Sequence, residues 1–456
     1  MSQTEATSGV PAGGQKYAWY RELTRYHWFV LSVASMGWMF DTMAQQLFNL
    51  ARKPAIKELL GAGASNATID QQAAWATSIF MIGWAIGGVF FGVLGDRLGR
   101  AKTMTITILS YTVFTGLSVL SGSVTEFNIY RFLCGLGVGG QFAVGVALVA
   151  EVVPQRARPY ALGFVQAASA IGNMLAALTG IVVGQMEMAG AFTGWSAWRW
   201  EFLAGAIPAP LALIVFKKLK EPDQWLQARK EKKQMGSYSE LFSNPRWRKN
   251  AIVGFLLAFA GVVGLWGIGF FSYDLFRPVL ERTFAAQGLV GKALSGKVTT
   301  WIGITSMLQN IGCFFGIYAF TYLTNYTGRK KAFAIAFVAA MGMTAYTFWN
   351  LKQISDIFWM IPLMGFAQLS LFGGYSIYLA ELFPTRLRST GTSFCYNVGR
   401  FAAAAGPFTL GYLTKDVFGG YPEPMRYAGV TMSLVFLVGL AALPFAPETK
   451  GKPLPE

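Results

Sequence analysis

EVVPQRAR (Glu151–Arg158) and ELFPTRLR (Glu381–Arg388) share the pattern E-x-x-P-x-R-x-R and lie 230 residues apart. A second pair of stretches keeps almost the same interval. GVLGDRLGR (Gly92–Arg100) is echoed by NYTGR (Asn325–Arg329), 229 residues later and without the acid. Two motifs at nearly one offset mark an internal duplication whose copies run in the same direction. Chance likeness between two basic loops does not reproduce one interval twice.

Working outward from these motifs, apolar runs recur from Trp28 to Phe445. Of 456 residues, 54% are apolar and only 13% charged, with a mean hydropathy of +0.41. Soluble domains carry about 25% charged residues, so this chain lacks the charge to face water all round. A cytosolic enzyme, a secreted disulfide scaffold and a disordered chain are excluded. The runs predict helices near 28–48, 72–95, 101–121, 127–150, 159–184, 198–216, 250–273, 298–323, 331–351, 355–380, 389–414 and 425–446. Each is long enough, at a rise of about 1.5 Å per residue, to cross about 30 Å of hydrocarbon. The expected fold is an all-α integral membrane protein with twelve transmembrane helices in two pseudo-symmetric six-helix bundles. The bundles span 28–216 and 250–446, joined by a linker at 217–249 and flanked by tails at 1–27 and 447–456.

The net charge of +16 falls in short clusters between apolar runs, which argues against nucleic acid as a partner. With both termini inside, the cytoplasmic segments collect 25 of the 38 Lys and Arg residues and the outer segments 11; Arg131 and Arg400 lie within spans. Ten of the 25 sit between Lys217 and Lys249. The positive-inside rule therefore places both termini and the linker in the cytoplasm of a cell inner or plasma membrane. The tail holds no short apolar segment with a cleavage site, so no removable signal peptide is expected. Cys134, Cys313 and Cys395 lie inside apolar runs without metal-ligand spacing, and neither metal nor cofactor is expected. His27, the single histidine, reads as an interfacial residue. Asn66-Ala-Thr68 matches the pattern of an N-glycosylation acceptor in the first outer loop. Gly135, Gly137, Gly139 and Gly140 follow no strand and read as close helix packing rather than a nucleotide loop. Arg131, at their head, is expected to snorkel to the interface or to pair with Glu126.

The G-x-L-x-D-R-x-G-R loop, the paired E-x-x-P-x-R-x-R motifs and the twelve spans resemble the major facilitator superfamily of secondary transporters. GWMFD (Gly37–Asp41) and CYNVGR (Cys395–Arg400) are similar to its branch of metabolite–proton symporters for organic acids, close to the organic-anion transporters. The resemblance implies alternating access by two rocking bundles around a central site. It also implies an acid at Asp41 and, as in the organic-anion members, an arginine at Arg400.

Few ionisable residues lie deep in the spans. Asp41 stands 13 residues after Trp28, about 20 Å along a helix and near the bilayer middle. An acid there costs about 2.5–3.5 kcal/mol on insertion scales unless it faces a wet cavity or a partner. That setting suits a group that binds and releases a proton, and equally a buried structural acid. Gln45 is one turn further on the same face. Arg400 lies 12 residues past Arg388, and Ser393, Tyr396, Asn397 and Arg400 share one helical face. A polar face inside a membrane helix is expected to point at a cavity. The planar guanidinium fork matches a carboxylate, the alternative being an inter-helix ion pair with Asp41 or another acid. Gln141, Gln166, Asn173, Gln309, Gln368 and Tyr375 complete the expected substrate site, each alternatively an inter-helix hydrogen bond. Ser169, Thr305 and Phe372 share their faces.

Asp96, Arg97, Gly99, Arg100, Glu151, Arg156 and Arg158 of the first half, with Arg329, Glu381, Arg386 and Arg388 of the second, read as a cytoplasmic gate. Asn325 and Tyr326 replace the acid and arginine of the first-half motif, so the second-half gate is expected to be weaker. The function expected is transport of a small organic anion with a carboxylate, coupled to proton symport, by a monomer in a lipid bilayer. Anion exchange, uniport of a neutral or phosphorylated metabolite, and a non-transporting sensor remain alternatives. One histidine and no nucleophile motif argue against an enzyme.

Overall fold

The computed structural model describes residues 18–61, 63–188, 194–231, 234–267 and 272–456. Residues 1–17 of the expected N-terminal tail and 268–271 of the seventh expected span lie outside these ranges. Among the described residues every regular element is helical. The first half holds α1 (Arg25–Leu60), α2 (Asn66–Arg97), α3 (Arg100–Leu117), α4 (Val124–Val152), α5 (Arg158–Met188), α6 (Ala197–Ala204) and α7 (Ala209–Lys218). The linker contributes α8 (Asp223–Lys230) and α9 (Tyr238–Ser243). The second half holds α10 (Pro245–Gly267), α11 (Ser272–Ala286), α12 (Gly291–Thr327), α13 (Arg329–Asn350), α14 (Ile354–Glu381), α15 (Arg388–Asn397), α16 (Gly399–Ala403), α17 (Gly406–Tyr412), α18 (Pro424–Ser433) and α19 (Phe436–Ala442).

Nine helical stretches among the described residues are long and apolar enough to cross a membrane. Three further crossings complete the twelve. One is α1, whose polar residues turn inward. The others are α6 with α7, interrupted before Pro208, and α15 with α16 and α17. Helix α11 lies mostly between the seventh and eighth expected spans, where the apolar runs predict no helix.

Local chemistry sets the helix ends. Thr24 caps α1, its hydroxyl accepting from the His27 amide while the Thr24 amide donates to His27 Nδ1, both at 3.3 Å. The lone histidine is thereby a cap. Gly99 and Gly328 turn the chain from α2 into α3 and from α12 into α13, with φ of 112° and 88° that favour glycine. A Cβ at either would collide with a carboxylate, Glu221 or Glu448 respectively. Those carboxylates accept from the first amides of α3 and α13: Glu221 from Arg100 at 2.6 Å and Glu448 from Arg329 at 3.0 Å. Each places a negative charge where the helix leaves donors unpaired.

The duplication is also visible in packing. In the first half α2 and α4 meet backbone to backbone at Gly83, Gly87, Gly135 and Gly139; in the second, α12 and α14 do so at Gly312, Gly316 and Gly365. Small residues permit that approach. The halves touch along two seams. One joins α2 and α4 to α15 and α16, and the other joins α5 to α12 and α14.

Candidate functional site

At the end of the bundle where the linker lies, buried charges tie the halves together. Asp96 accepts from the amides of Ser389 (3.2 Å) and Thr390 (2.8 Å) and from the Thr390 hydroxyl (2.6 Å). A carboxylate from α2 thus caps α15. Arg100 pairs with Asp96 (2.9 Å) and Glu151 (2.8 Å) and donates across the seam to the Thr385 carbonyl at 2.7 Å. Arg388 closes on Glu151 at 2.7 Å. In the second half Arg329 pairs with Glu381 at 2.8 Å. Arg97 donates to the carbonyls of Met235 and Gly236, and Arg386 pairs with Glu240 at 2.7 Å, so the linker is pinned to both halves. Arg156 is exposed. Asn325, which stands where the first half has Asp96, bonds the Thr321 carbonyl of its own helix and meets the Tyr160 side chain of α5, and among the described residues it caps no helix as Asp96 does.

Above this closure the halves leave a cavity between them. Helix α1 supplies Trp38, Thr42, Gln45, Gln46 and Asn49; α2 supplies Trp84; α5 supplies Gln166, Ser169 and Asn173. From the second half come Leu265 and Trp266 on α10, Gln309, Asn310 and Cys313 on α12, Leu369 and Phe372 on α14, then Tyr396 and Arg400. Hydrogen bonds between the halves run along its wall. Gln46 donates to the Ser306 hydroxyl at 3.3 Å, and Asn173 to Asn310 Oδ1 at 2.9 Å.

Arg400 is 1% exposed. Its guanidinium lies 3.8 Å from the Trp84 ring centroid and 4.4 Å from that of Tyr396. Nη1 donates to the Tyr396 carbonyl and to Asn397 Oδ1 (3.0 Å), while Nε has no partner. Among the described residues no carboxylate stands at ion-pair distance. Asp41 is fully buried, and both its oxygens lack a hydrogen-bond partner. Gln45 lies beside it one turn along the same helix, and Arg400 lies in its electrostatic neighbourhood without closing an ion pair. The inter-helix ion pair between Asp41 and Arg400 is not formed. Arg400 is a cation held between aromatic faces and presented to a cavity, an arrangement able to receive a planar anion.

Of the residues expected at the substrate site, Arg400, Tyr396, Gln166, Asn173 and Gln309 meet in the cavity. The others do not reach it in this conformation. Asn397 donates to the Gly139 carbonyl (3.2 Å) and Ser393 Oγ (2.9 Å), and the Ser393 hydroxyl bonds the Gly88 carbonyl. Gly88, Gly92 and Gly95 form a stripe on α2 against which Asn397, Ser393 and Ser389 pack. The polar face of α15 is therefore mostly spent on the seam. Gln141 accepts from Thr107 at 2.7 Å, Gln368 donates to Thr344 at 2.7 Å, and the Tyr375 hydroxyl donates to the Leu257 carbonyl at 2.8 Å. Each lies inside its own bundle. Arg131 neither snorkels nor meets Glu126. It is fully buried, bonded to Ser118 and the Phe114 carbonyl, with its cation 4.6 Å from the Phe202 ring centroid. Burial of the first turns of α4 against α3 and α6 removes the route to the interface.

Sequence reasoning missed Trp38, Trp84, Trp266, Gln46, Asn49 and Asn310. The amides carried a usable signal, since Thr42, Gln45, Gln46 and Asn49 cluster on one face of α1. No group of three His, Cys, Asp or Glu residues among the described residues could hold a metal ion.

Comparison with known proteins agrees with this architecture. A probable 4-methylmuconolactone transporter of Cupriavidus pinatubonensis is 28% identical over 95% of this chain and 94% of its own length. The niacin transporter NiaP of Acinetobacter baylyi is 25% identical over 94% and 96%. Among solved structures, the proton:xylose symporter XylE superposes with a TM-score of 0.71 at 18% identity, covering 94% of this chain and 98% of that one. The human organic anion transporter MFSD10 gives 0.69 at 16% identity, over 92% and 100%. The sequence profile of the Major Facilitator Superfamily matches residues 28–296, more than half of the chain. With its duplicated helix bundles, its paired arginine–glutamate motifs and a cavity between the halves, the chain belongs to the Major Facilitator Superfamily of membrane transporters.

Proposed function

We propose that this chain is a secondary active transporter of small organic carboxylates and moves them together with protons. The observation that carries the reading is the Arg400 guanidinium, without a carboxylate partner among the described residues, buried between Trp84 and Tyr396 and lining the central cavity. A buried cation without a counter-ion is costly, and an anionic ligand removes that cost. Trp38, Trp266 and Phe372 supply apolar wall for a planar or unsaturated body. Relatives named as transporters of 4-methylmuconolactone and niacin support a small organic substrate.

Asp41 is the proposed proton carrier. An ionised carboxylate with no counter-ion is strongly disfavoured at that depth, so proton uptake accompanies the closed states. Opening of the cavity rehydrates it and lets the proton leave. The charged network at the linker end is the proposed cytoplasmic gate, and both termini face the cytoplasm. In the conformation described here that gate is closed. The site sits between the halves, which rock about it to expose it to either side.

The test is uptake by purified protein in liposomes under an imposed inward proton gradient, with a panel of labelled carboxylates and neutral sugars as controls. Accumulation of a carboxylate above its equilibrium level, lost in Arg400→Ala protein that inserts normally, is the expected result. Accumulation of a sugar instead, or carboxylate flux that Arg400→Ala leaves intact, contradicts the reading.

A further inference from the structure

The cavity is polar at two opposite seams. Arg400 belongs to the seam that joins α2 to α15 and α16, and Trp84 of α2 stacks on it. Asn173 and Asn310 belong to the other seam, between α5 and α12. Gln166 is one to two turns from Asn173 on α5, 3% exposed, and its Oε1 is buried without a partner. Among the described residues that line the cavity, Arg400 is the sole cation and none is acidic.

We propose that the substrate is a monocarboxylate whose opposite end carries a neutral hydrogen-bonding group, such as a hydroxyl, a lactone or ring carbonyl, or a ring nitrogen. This rests on the carboxylate reading of Arg400 and specifies what the far seam recognises. The carboxylate is held at Arg400, and the far group is held by the amides of α5 and α12. An amide offers both a donor and an acceptor, so it takes a neutral polar group of either kind. A second carboxylate at that seam loses its hydration and meets no cation. A methyl group in its place leaves the buried Gln166 oxygen unsatisfied and forfeits the bonds that Asn173 and Asn310 can turn toward a ligand. Discrimination therefore comes from the seam opposite the charge.

The test uses the full chain in nanodiscs and three benzoates of similar length: 4-hydroxybenzoate, 4-methylbenzoate and terephthalate. Their affinities are measured directly by titration calorimetry. The expected result is that 4-hydroxybenzoate binds at least about tenfold tighter than the other two, the scale of one well-placed hydrogen bond. In Asn173→Ala and Asn310→Ala proteins that gap narrows severalfold while Arg400 dependence is retained. The wild-type ranking alone decides the matter if either variant fails to fold. Equal affinities for all three, each lost in Arg400→Gln, overturn this inference and leave the carboxylate reading standing. Tightest binding of terephthalate also overturns it. Absence of binding by all three, or binding that Arg400→Gln does not weaken, overturns both.

Discussion

Arg388 closes on Glu151 at 2.7 Å across the seam between the halves, whereas the pair related to it by the duplication, Arg158 and Glu381, forms no ion pair. Glu381 is instead taken by Arg329 and by the Thr449 hydroxyl at 2.6 Å. The repeat supplies four equivalent residues, and only one of the two possible cross-half bridges is made. The closure at the linker end is accordingly lopsided, resting on Glu151 and on the Asp96 cap of α15.

Glu151→Gln should therefore open that end, whereas Glu381→Gln should do so much less. Removing one member of a buried charge pair costs about 3–5 kcal/mol, here charged to the closed state alone. The check is maleimide labelling of Ser393→Cys from the linker side. The closed structure buries that position, and labelling should rise at least about tenfold in the Glu151→Gln background. Equal rises in the two backgrounds would refute the asymmetry.

Asp41→Asn should uncouple transport without abolishing it. Amide and protonated carboxyl are close in shape, so substrate exchange should persist at a rate within about an order of magnitude of wild type. Uphill accumulation on a proton gradient should vanish. Counterflow and gradient-driven uptake, measured on the same vesicles, separate these outcomes. Retained accumulation assigns the proton to another group.

Helix contact through glycine gives a stability prediction. Gly87→Ala and Gly316→Ala place a methyl against the backbone of Leu136 and Phe366, whereas Gly342→Ala meets nothing within 4 Å. The first two should lose about 1–3 kcal/mol, and the third should be neutral or slightly stabilised as an interior helix residue. Thermal unfolding in detergent reads all three.

Glu448 lies beyond the last span. Burial pushes its carboxyl up, but the amides of Arg329, Lys450 and Lys330 outweigh that and hold it below the usual glutamate range. A folded-state value below the unfolded one contributes stability above the unfolded value and loses it as pH falls through the folded one. Glu448→Gln should cost at most about 0.5 kcal/mol at neutral pH, because solvent screens a carboxyl that is only partly buried, with the difference from wild type shrinking in acid. A difference that grows in acid would contradict the capping role.

The fold was legible because its signals are periodic. Apolar runs gave the spans, and the spacing of Glu151, Glu381, Arg100 and Arg329 gave the duplication before any contact was seen. The cavity was only half legible. Arg400 and Asn173 stand out as polar groups in apolar surroundings, but Trp84 and Trp266 look like the lipid-facing tryptophans around them. A sequence face also does not say which neighbour it meets. Ser393 and Asn397 share a face with Arg400, and the glycine stripe of α2 draws α15 close enough to absorb them. Glu221 and Glu448 sit in polar loops, where a cap cannot be told from a solvated charge.

The central claim is that Arg400 receives the substrate's carboxylate, and the most direct measurement is charge discrimination. Affinities for benzoate and for its neutral isostere benzamide are determined on wild-type protein and on Arg400→Gln. The account predicts that wild type prefers benzoate by at least about 30-fold, the strength of a charge-assisted hydrogen-bonded pair, and that Arg400→Gln erases the preference. A preference for benzoate that survives in Arg400→Gln would contradict it.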